Sequence, residues 1–148
     1  MSGCELCDSM GGELVWEDEQ CRVVYVGGAE GAEYPGFCRV VWRGHVREMT
    51  DLPAVERRHL MNVVFATEVA VRALCRPDKI NLASLGNVTP HLHWHVIPRW
   101  TDDCNFPAPI WTAAQRASSP PGRHPSVPIQ SLHERINTAL AESQGGSA

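Results

Sequence analysis

The segment Pro90–Arg99 constrains the fold most strongly, because three histidines alternate with apolar residues in it. His91, His93 and His95 occupy every second position. Successive side chains of a β-strand point to opposite faces, so this spacing puts the three imidazoles on one face, roughly 6.5–7 Å apart, and the intervening apolar side chains on the other. We therefore expect a strand with one face in the core and a chemically active opposite face.

The flanking sequence predicts an α+β domain with a mostly antiparallel five-stranded sheet and one long helix. Extended stretches at 13–17, 21–26, 37–42 and 80–85 predict four strands, and the histidine strand is the fifth. A helix is predicted to start at Thr50, Asp51 or Pro53. Apolar residues spaced by three, four and seven continue it to about Cys75. Segment 27–36 contains four glycines and a proline, which predicts a loop.

Beyond Trp100 the chain becomes rich in proline, which predicts an irregular arm. We therefore divide the chain into a domain at 1–100 and an arm at 101–148, with a possible short helix over 129–142, packed on the same domain. Trp100, Phe106 and Trp111 either cover a pocket or pack the arm onto the sheet, and packing is favoured. Arg99 either neutralises a phosphate or lies exposed at the strand end.

The composition of the chain excludes several classes of protein. Its 148 residues suit a single domain, and a net charge of −4 argues against binding a nucleic acid polymer. No apolar stretch is long enough to span a membrane, and the first residues lack the pattern of a secretory signal. Six cysteines without a signal are interpreted as thiols or metal ligands in a reducing cytoplasm.

The N-terminal Cys-x-x-Cys sequence is a candidate metal site, because two thiolates at this spacing can bind one tetrahedral ion. No second Cys-x-x-Cys is present, so the remaining ligands would have to be histidines. His45 follows the third strand and His91 opens the fifth, which makes the candidate set Cys4, Cys7, His45 and His91. A redox dithiol and a pair without a special role are the alternatives.

The histidine strand itself has three interpretations: partly buried polar groups, a metal site, or nucleophilic catalysis by a central imidazole. If His91 binds a metal, His93 and His95 remain for catalysis. The preceding turn offers backbone N–H groups and small polar side chains suited to phosphate oxygens. Candidate phosphate-binding residues are Asn81, Gly86, Asn87, Thr89 and His95, although polar residues in a turn also occur simply as turn formers.

The segment Gly86–Arg99 resembles the signature of the histidine-triad (HIT) superfamily, in which three histidines alternate with apolar residues. The N-terminal Cys-x-x-Cys, His45-Val46 and the helix start at Thr50 agree with this resemblance, which covers residues 4–99. The chain is most similar to bacterial HIT hydrolases of the diadenosine-tetraphosphate type.

The resemblance implies a homodimer that binds nucleotides and cleaves at the α-phosphate of a polyphosphate or phosphoramidate. The middle histidine, His93, would form a covalent nucleotidyl intermediate, and His95 would contact the phosphate. In zinc-bearing relatives, two cysteines and two histidines hold a structural Zn²⁺. Two positions depart from the pattern: Val88 replaces an expected hydroxyl, for which Thr89 can substitute, and Gly27 stands where many relatives use an acidic or amide residue on the ribose.

Two other functions remain open. A nucleotide-binding or interaction module would use the histidines without turnover. A catalytic zinc would instead be held by His91, His93 and His95 and activate water.

Overall fold

The computed structural model describes residues 3–145, which form one sheet and four α-helices. In chain order, the strands are β1 (Glu13–Glu17), β2 (Cys21–Tyr25), β3 (Cys38–Trp42), β4 (Lys79–Ala83) and β5 (His93–Arg99). The helices are α1 (Glu5–Asp8), α2 (Gly28–Glu33), α3 (Ala54–Cys75) and α4 (Ile129–Gly145).

All five strands pair antiparallel, in the order β1-β2-β3-β5-β4. The sequence-distant strand β5 therefore inserts between β3 and β4, where Val41 pairs with His93 and Arg39 with His95. Residues directly opposite each other on paired strands project from the same face of the sheet. The register thus places the histidines of β5 beside side chains of β3, and the predicted α+β fold is confirmed.

The core lies between the sheet and α3. This helix buries its apolar stripe against β3 and β5, which is the packing that amphipathic spacing predicts. It ends at Cys75. The N–H of the next residue, Arg76, still donates to the carbonyl of Arg72, and the left-handed backbone of Arg76 (φ 48°) then turns the chain out of the helix. Helix α4 lies beside α3, packs against both α3 and β1, and adds Leu132 and Ile136 to the core. Within residues 3–145, no helix has both the length and the apolar content needed to cross a bilayer.

The loop predicted over residues 27–36 is wrong in part, because Gly28–Glu33 forms α2. Glycine disfavours helices, so the sequence alone did not indicate one. The structure shows what the glycine at position 31 provides. A Cβ atom there would lie 2.0 Å from the carbonyl oxygen of Val26, so only glycine lets α2 approach the end of β2 this closely.

The prediction that His91 opens the fifth strand is also corrected, since β5 begins at His93. His91 lies in a bend just before it, where its N–H donates to the carbonyl of Thr89. The next residue still aligns with the sheet, because its carbonyl accepts a hydrogen bond of 3.1 Å from the N–H of Trp42, the last residue of β3. Because His91 precedes the strand, its side chain does not have to point to the same face as His93 and His95, and it lies with Cys4, Cys7 and His45 instead.

Residues 100–128 form an irregular arm of turns, as their proline content predicts. Arg99 and Asp103 anchor it through a buried ion pair, with Nε of Arg99 2.9 Å from Oδ2 of Asp103. Arg99 is only 2% exposed. The sequence suggests two interpretations of this arginine, a phosphate-binding group and an exposed residue. Both are wrong, because the buried guanidinium pairs with Asp103 and holds the arm in place.

Candidate functional site

His93 and His95 lie side by side on β5 and are both buried, with 7% and 6% of their surface exposed. Their ring centroids are 4.9 Å apart and the rings meet edge to face. This is closer than the spacing expected along a strand, because the rings tilt toward each other. The two imidazoles line a common cavity.

A backbone hydrogen bond fixes the tautomer of His93. Its Nδ1 lies 2.5 Å from the carbonyl oxygen of His91. A carbonyl can only accept a hydrogen bond, so Nδ1 carries the proton and Nε2 of the neutral ring keeps its lone pair. Burial lowers the pKa of His93 and the charge of Arg39 lowers it further, against the opposing effect of the His91 carbonyl.

His95 is held as a neutral imidazole. Burial, followed by the nearby His93 and Arg39, lowers its pKa to about 3. Its ring contacts Phe37 at 5.8 Å and Trp111 at 4.8 Å between centroids. Its Nδ1 is buried and makes no hydrogen bond with the described residues. A buried N–H without an acceptor costs about 1–3 kcal/mol, so we place the proton on Nε2.

The cavity has a volume of about 460 Å³, which is within the range of small-ligand sites. One wall is the turn between β4 and β5, where Gly86 adopts a positive φ of 75°. The lining residues are Glu5, Leu6, Glu30, Arg39, Leu85, Gly86, Asn87, Val88, Thr89, His93, His95 and Trp111. The structure therefore brings four of the five predicted phosphate-binding residues, Gly86, Asn87, Thr89 and His95, into one cavity with His93.

Asn81 is the exception. It lines a separate groove of about 320 Å³ along β4, which meets the cavity only at Trp111. Its Oδ1 accepts a hydrogen bond of 2.8 Å from Nη1 of Arg99. Asn81 therefore supports the arm rather than the cavity in this structure, and its role in phosphate binding stays a prediction.

Of the three aromatic residues after β5, two pack the arm onto the domain and one covers the cavity. Trp100 is 6% exposed and stacks on His124 at 3.9 Å, which is a packing role. Phe106 lies over the Arg99 guanidinium at 5.6 Å, also within the arm. Trp111 is 43% exposed and closes the His95 end of the cavity. The arm thus contributes one side chain to the site.

Sequence reasoning missed Glu5, Glu30 and Arg39 as lining residues. Glu30 lies in the segment predicted as a loop, and Glu5 lies within the Cys-x-x-Cys segment, where only the cysteines were considered. Arg39 did carry a signal, because it is the one charged residue in the otherwise apolar strand β3. A charge in the middle of such a strand indicates a special environment.

Four side chains meet at a second candidate site, between the N-terminal segment, the loop after β3 and the bend before β5. His91 Nδ1 lies 3.4 Å from the sulfurs of both Cys4 and Cys7 and 3.3 Å from Nδ1 of His45. The Cys7 sulfur is also 3.4 Å from Nδ1 of His45. A tetrahedral Zn²⁺ places nitrogen and sulfur ligands about 3.3–3.8 Å apart, so these four residues fit a metal ion.

The orientation of His91 supports that fit. Its Nε2 lies 2.6 Å from the carbonyl oxygen of Trp42, so Nε2 carries the proton and Nδ1 presents a lone pair to the cysteines. Burial lowers the pKa of His91, which keeps the ring neutral as a metal ligand requires. His91 is fully buried and does not line the cavity, which separates it from His93 and His95.

A buried arginine holds the Cys-x-x-Cys segment in place. Arg22, on β2, is 6% exposed. Its guanidinium donates to the carbonyls of Leu6 at 2.9 Å and Ser9 at 3.0 Å, and its Nε to that of Met10 at 3.0 Å. The short helix α1 is thereby fixed against the sheet, and its Glu5 and Leu6 reach the cavity.

A model of the HIT domain family matches residues 11–102, more than half of the chain, so the chain belongs to the HIT family. It is 33% identical over 78 residues to a protein named AP-4-A phosphorylase from Mycobacterium tuberculosis H37Rv. That match covers 49% of this chain and 40% of the relative, so the chain matches about two-fifths of the length of the curated relatives. The resemblance drawn from the signature is confirmed.

Solved structures show the same fold. A histidine triad protein from Marinobacter aquaeolei VT8 aligns with a TM-score of 0.65 and 26% identity, over 90% of this chain and 91% of that one. One from Bradyrhizobium japonicum aligns with a TM-score of 0.60 and 26% identity, over 88% and 90%. A Zn-bound histidine triad protein from Mycobacterium smegmatis aligns with a TM-score of 0.56 over 98% of both chains, and at 18% identity this likeness shows the fold alone.

Proposed function

We propose that this protein is a nucleotide hydrolase or nucleotidyl transferase that acts through His93. The observation that carries the proposal is the hydrogen bond from His93 Nδ1 to the His91 carbonyl, at the wall of a cavity of nucleotide-compatible volume. It leaves Nε2 as the nucleophilic nitrogen of a neutral ring. The family match and the similarity to a relative named AP-4-A phosphorylase support a polyphosphate substrate.

The proposed reaction has two displacements at the α-phosphorus. In the first, Nε2 of His93 forms a bond to phosphorus while the bond to the leaving group breaks and its electron pair departs with the leaving atom. In the second, an oxygen of water or of a phosphate bonds to the phosphorus while the bond from phosphorus to Nε2 breaks and its electron pair returns to Nε2. Attacking water gives up one proton to the solvent, and the nucleotide is released. The carbonyl oxygen of His91, which accepts the hydrogen bond from Nδ1, stabilises the positive charge that develops on the imidazole.

His95 and the turn at residues 86–89 are proposed to bind the phosphate. With its proton on Nε2, the neutral His95 can donate one hydrogen bond to a phosphate oxygen. Backbone N–H groups of the turn and the hydroxyl of Thr89 supply further donors at the cavity wall. Val88 is 95% exposed and contributes no hydroxyl, which is why Thr89 is assigned that role.

We propose that Cys4, Cys7, His45 and His91 hold a structural Zn²⁺. When bound, the ion would cross-link the N-terminal turn, the loop after β3 and the bend before β5. His91 would be held in position by its side chain while its carbonyl orients His93. The rival in which the three histidines jointly bind a catalytic metal is not supported, since among residues 3–145 they do not bring their nitrogens together as a ligand group.

We also propose that the chain works as a homodimer in the cytoplasm. Its partner is a nucleotide rather than a nucleic acid polymer. Residues 1–100 form the domain and residues 101–148 the arm. The resemblance to the HIT family supports the dimer, and the net charge of −4 supports the exclusion of polymers. Light scattering during gel filtration tests the dimer directly, and a monomeric mass would overturn it.

The test of the catalytic proposal compares wild type, His93→Ala and the control His59→Gln with diadenosine tetraphosphate as substrate. His59 pairs with Asp18 outside the cavity. We expect His93→Ala to lose at least about 10³-fold in kcat, because a covalent route disappears, and His59→Gln to keep the wild-type rate. Nucleotide binding without turnover by wild type, across polyphosphates and phosphoramidates, would instead favour the non-catalytic binding module.

A further inference from the structure

The balance of charge in the cavity is unfavourable for a polyphosphate. Among the described residues that line it, Arg39 carries the only permanent positive charge, whereas Glu5 and Glu30 carry negative ones. The histidines are neutral for the reasons given above. A substrate with several phosphates therefore depends on Arg39 for charge neutralisation, and its extra phosphates must lie close to that residue.

The sheet register fixes where Arg39 stands. It pairs with His95, whereas His93 pairs with Val41, two residues further along β3. Two residues of a strand span roughly 6.5–7 Å, so the backbone of Arg39 is displaced by that distance from the residue opposite His93. Its guanidinium lies 5.9 Å from the centre of the Phe37 ring, which itself contacts His95. Arg39 therefore lies on the His95 side of the cavity, beside the phosphate that follows the attacked one.

The guanidinium of Arg39 is held in place and still able to bind a ligand. Nη1 donates to the carbonyl of Gly11 at 3.0 Å, which anchors the side chain. Within residues 3–145 its acidic partner is Glu30, at a closest distance of 3.7 Å between Nη2 and Oε2, and the two side chains are 26% and 44% exposed. An exposed pair at this distance is weak. A phosphate can displace it, because guanidinium binds phosphate oxygens through two parallel hydrogen bonds.

We propose that Arg39 binds the anionic leaving group of the substrate, so that this protein prefers nucleoside polyphosphates over nucleotides with an uncharged leaving group. The inference rests on the proposed function. As His93 Nε2 bonds to the α-phosphorus, the bridging P–O bond breaks and its electron pair remains on the departing phosphate. The negative charge on that phosphate rises by one unit, and Arg39 stabilises it. An amine leaving group instead takes up a proton and departs neutral, so Arg39 has no new charge to stabilise.

The experiment measures kcat/KM of wild type, Arg39→Gln and Arg39→Lys on two substrates. Diadenosine tetraphosphate has an anionic leaving group, and adenosine 5′-phosphoramidate releases ammonia. We expect Arg39→Gln to lower the ratio of polyphosphate to phosphoramidate kcat/KM by about 10- to 100-fold, the range of one or two charge-assisted hydrogen bonds. Arg39→Lys should restore part of that ratio. Arg43→Gln, which removes an arginine paired with Glu17 outside the cavity, is the matched control and should leave the ratio unchanged.

A ratio that stays within about threefold of wild type in Arg39→Gln would overturn the inference, whether both activities fall together or neither falls. A binding measurement covers the case in which turnover is absent. In the His93→Ala background, Arg39→Gln should weaken affinity for diadenosine tetraphosphate at least tenfold more than affinity for AMP. Equal weakening would refute the role of Arg39. The proposed function fails separately, if His93→Ala retains wild-type turnover.

Discussion

Asp103→Asn is expected to destabilise the fold strongly, although Asp103 lies outside the cavity. The Asp103 carboxylate is fully buried and accepts hydrogen bonds from Nε and Nη2 of Arg99 at 2.9 and 3.0 Å. It also accepts from the backbone N–H groups of Trp100 at 3.1 Å, Asn105 at 3.1 Å and Phe106 at 2.7 Å. Five donors therefore meet on one carboxylate at the root of the arm.

Asparagine keeps one acceptor oxygen but turns an amide N–H₂ toward these donors and leaves the Arg99 charge without its partner. Removing one member of a buried ion pair costs about 3–5 kcal/mol, and the five donors place this site at the upper end of that range. A domain of this kind has a free energy of unfolding of about 5–15 kcal/mol, so much of its stability would disappear. With a urea m-value of about 2 kcal/mol/M, the unfolding midpoint should fall by roughly 2–2.5 M.

Urea unfolding followed by circular dichroism measures the effect, and Asp102→Asn is the matched control. Asp102 is the preceding residue and pairs with Arg123 and His124 at the surface. Its loss should hardly change the midpoint, because exposed pairs contribute little. Equal midpoints for Asp103→Asn and Asp102→Asn would refute the reasoning that the buried pair anchors the arm.

The same pair predicts a pH dependence. Burial acts to raise the pKa of Asp103, but the hydrogen bonds and charge of Arg99 outweigh it and lower the pKa. Stability from this group is therefore complete above the unfolded pKa of about 3.9 and is lost as the pH falls through the lower folded pKa. The stability gap between wild type and Asp103→Asn should stay constant from about pH 5 to pH 8 and narrow below about pH 4. A gap that widens in acid would contradict this sign.

Three further predictions concern Gly31 of α2, the metal centre and the arm. Gly31→Ala should lower the free energy of unfolding by about 1–3 kcal/mol in a urea titration, because the added Cβ would collide with the backbone carbonyl of Val26. Gly27→Ala is the control and should leave the free energy of unfolding unchanged, since a Cβ there has no atom within 4 Å. Cys7→Ser should abolish stoichiometric zinc in elemental analysis, and unchanged zinc would refute the ligand set; Cys75→Ser, outside the cluster, should retain it. Trp111→Ala should raise KM about 2- to 10-fold with little change in kcat, and an unchanged KM in steady-state assays would show that this ring does not cover the substrate.

The sequence predicted the sheet and the long helix because their signals are local. Alternation and apolar spacing report directly which side of a strand or helix faces the core. It failed at α2, because glycines argue against a helix. The close approach of the helix to Val26 explains why glycine occupies position 31, and this approach is visible only in the structure. It also failed at Arg99, whose burial depends on Asp103, a partner that the arm supplies from outside the strand.

The candidate site was predictable to the extent that its residues lie in one segment. The turn and histidines at 86–95 could be placed together from their spacing alone. The predicted metal site combined residues from distant segments. Cys4 and Cys7 indicated two ligands, and His45 and His91 were chosen as the other two because no second Cys-x-x-Cys is present. Arg39 and Glu30 could not be placed, because only the β3–β5 register and the position of α2 bring them to the cavity.

The central claim is that His93 carries the nucleotide during the reaction, and one measurement tests it most directly. Wild type is mixed with diadenosine tetraphosphate, quenched in alkali, in which a phosphorus–nitrogen bond to histidine survives, and digested for mass spectrometry. We predict a nucleotidyl adduct that fragmentation locates at His93, and no adduct on His93→Ala. An adduct at His95, or full turnover by His93→Ala, would contradict the account.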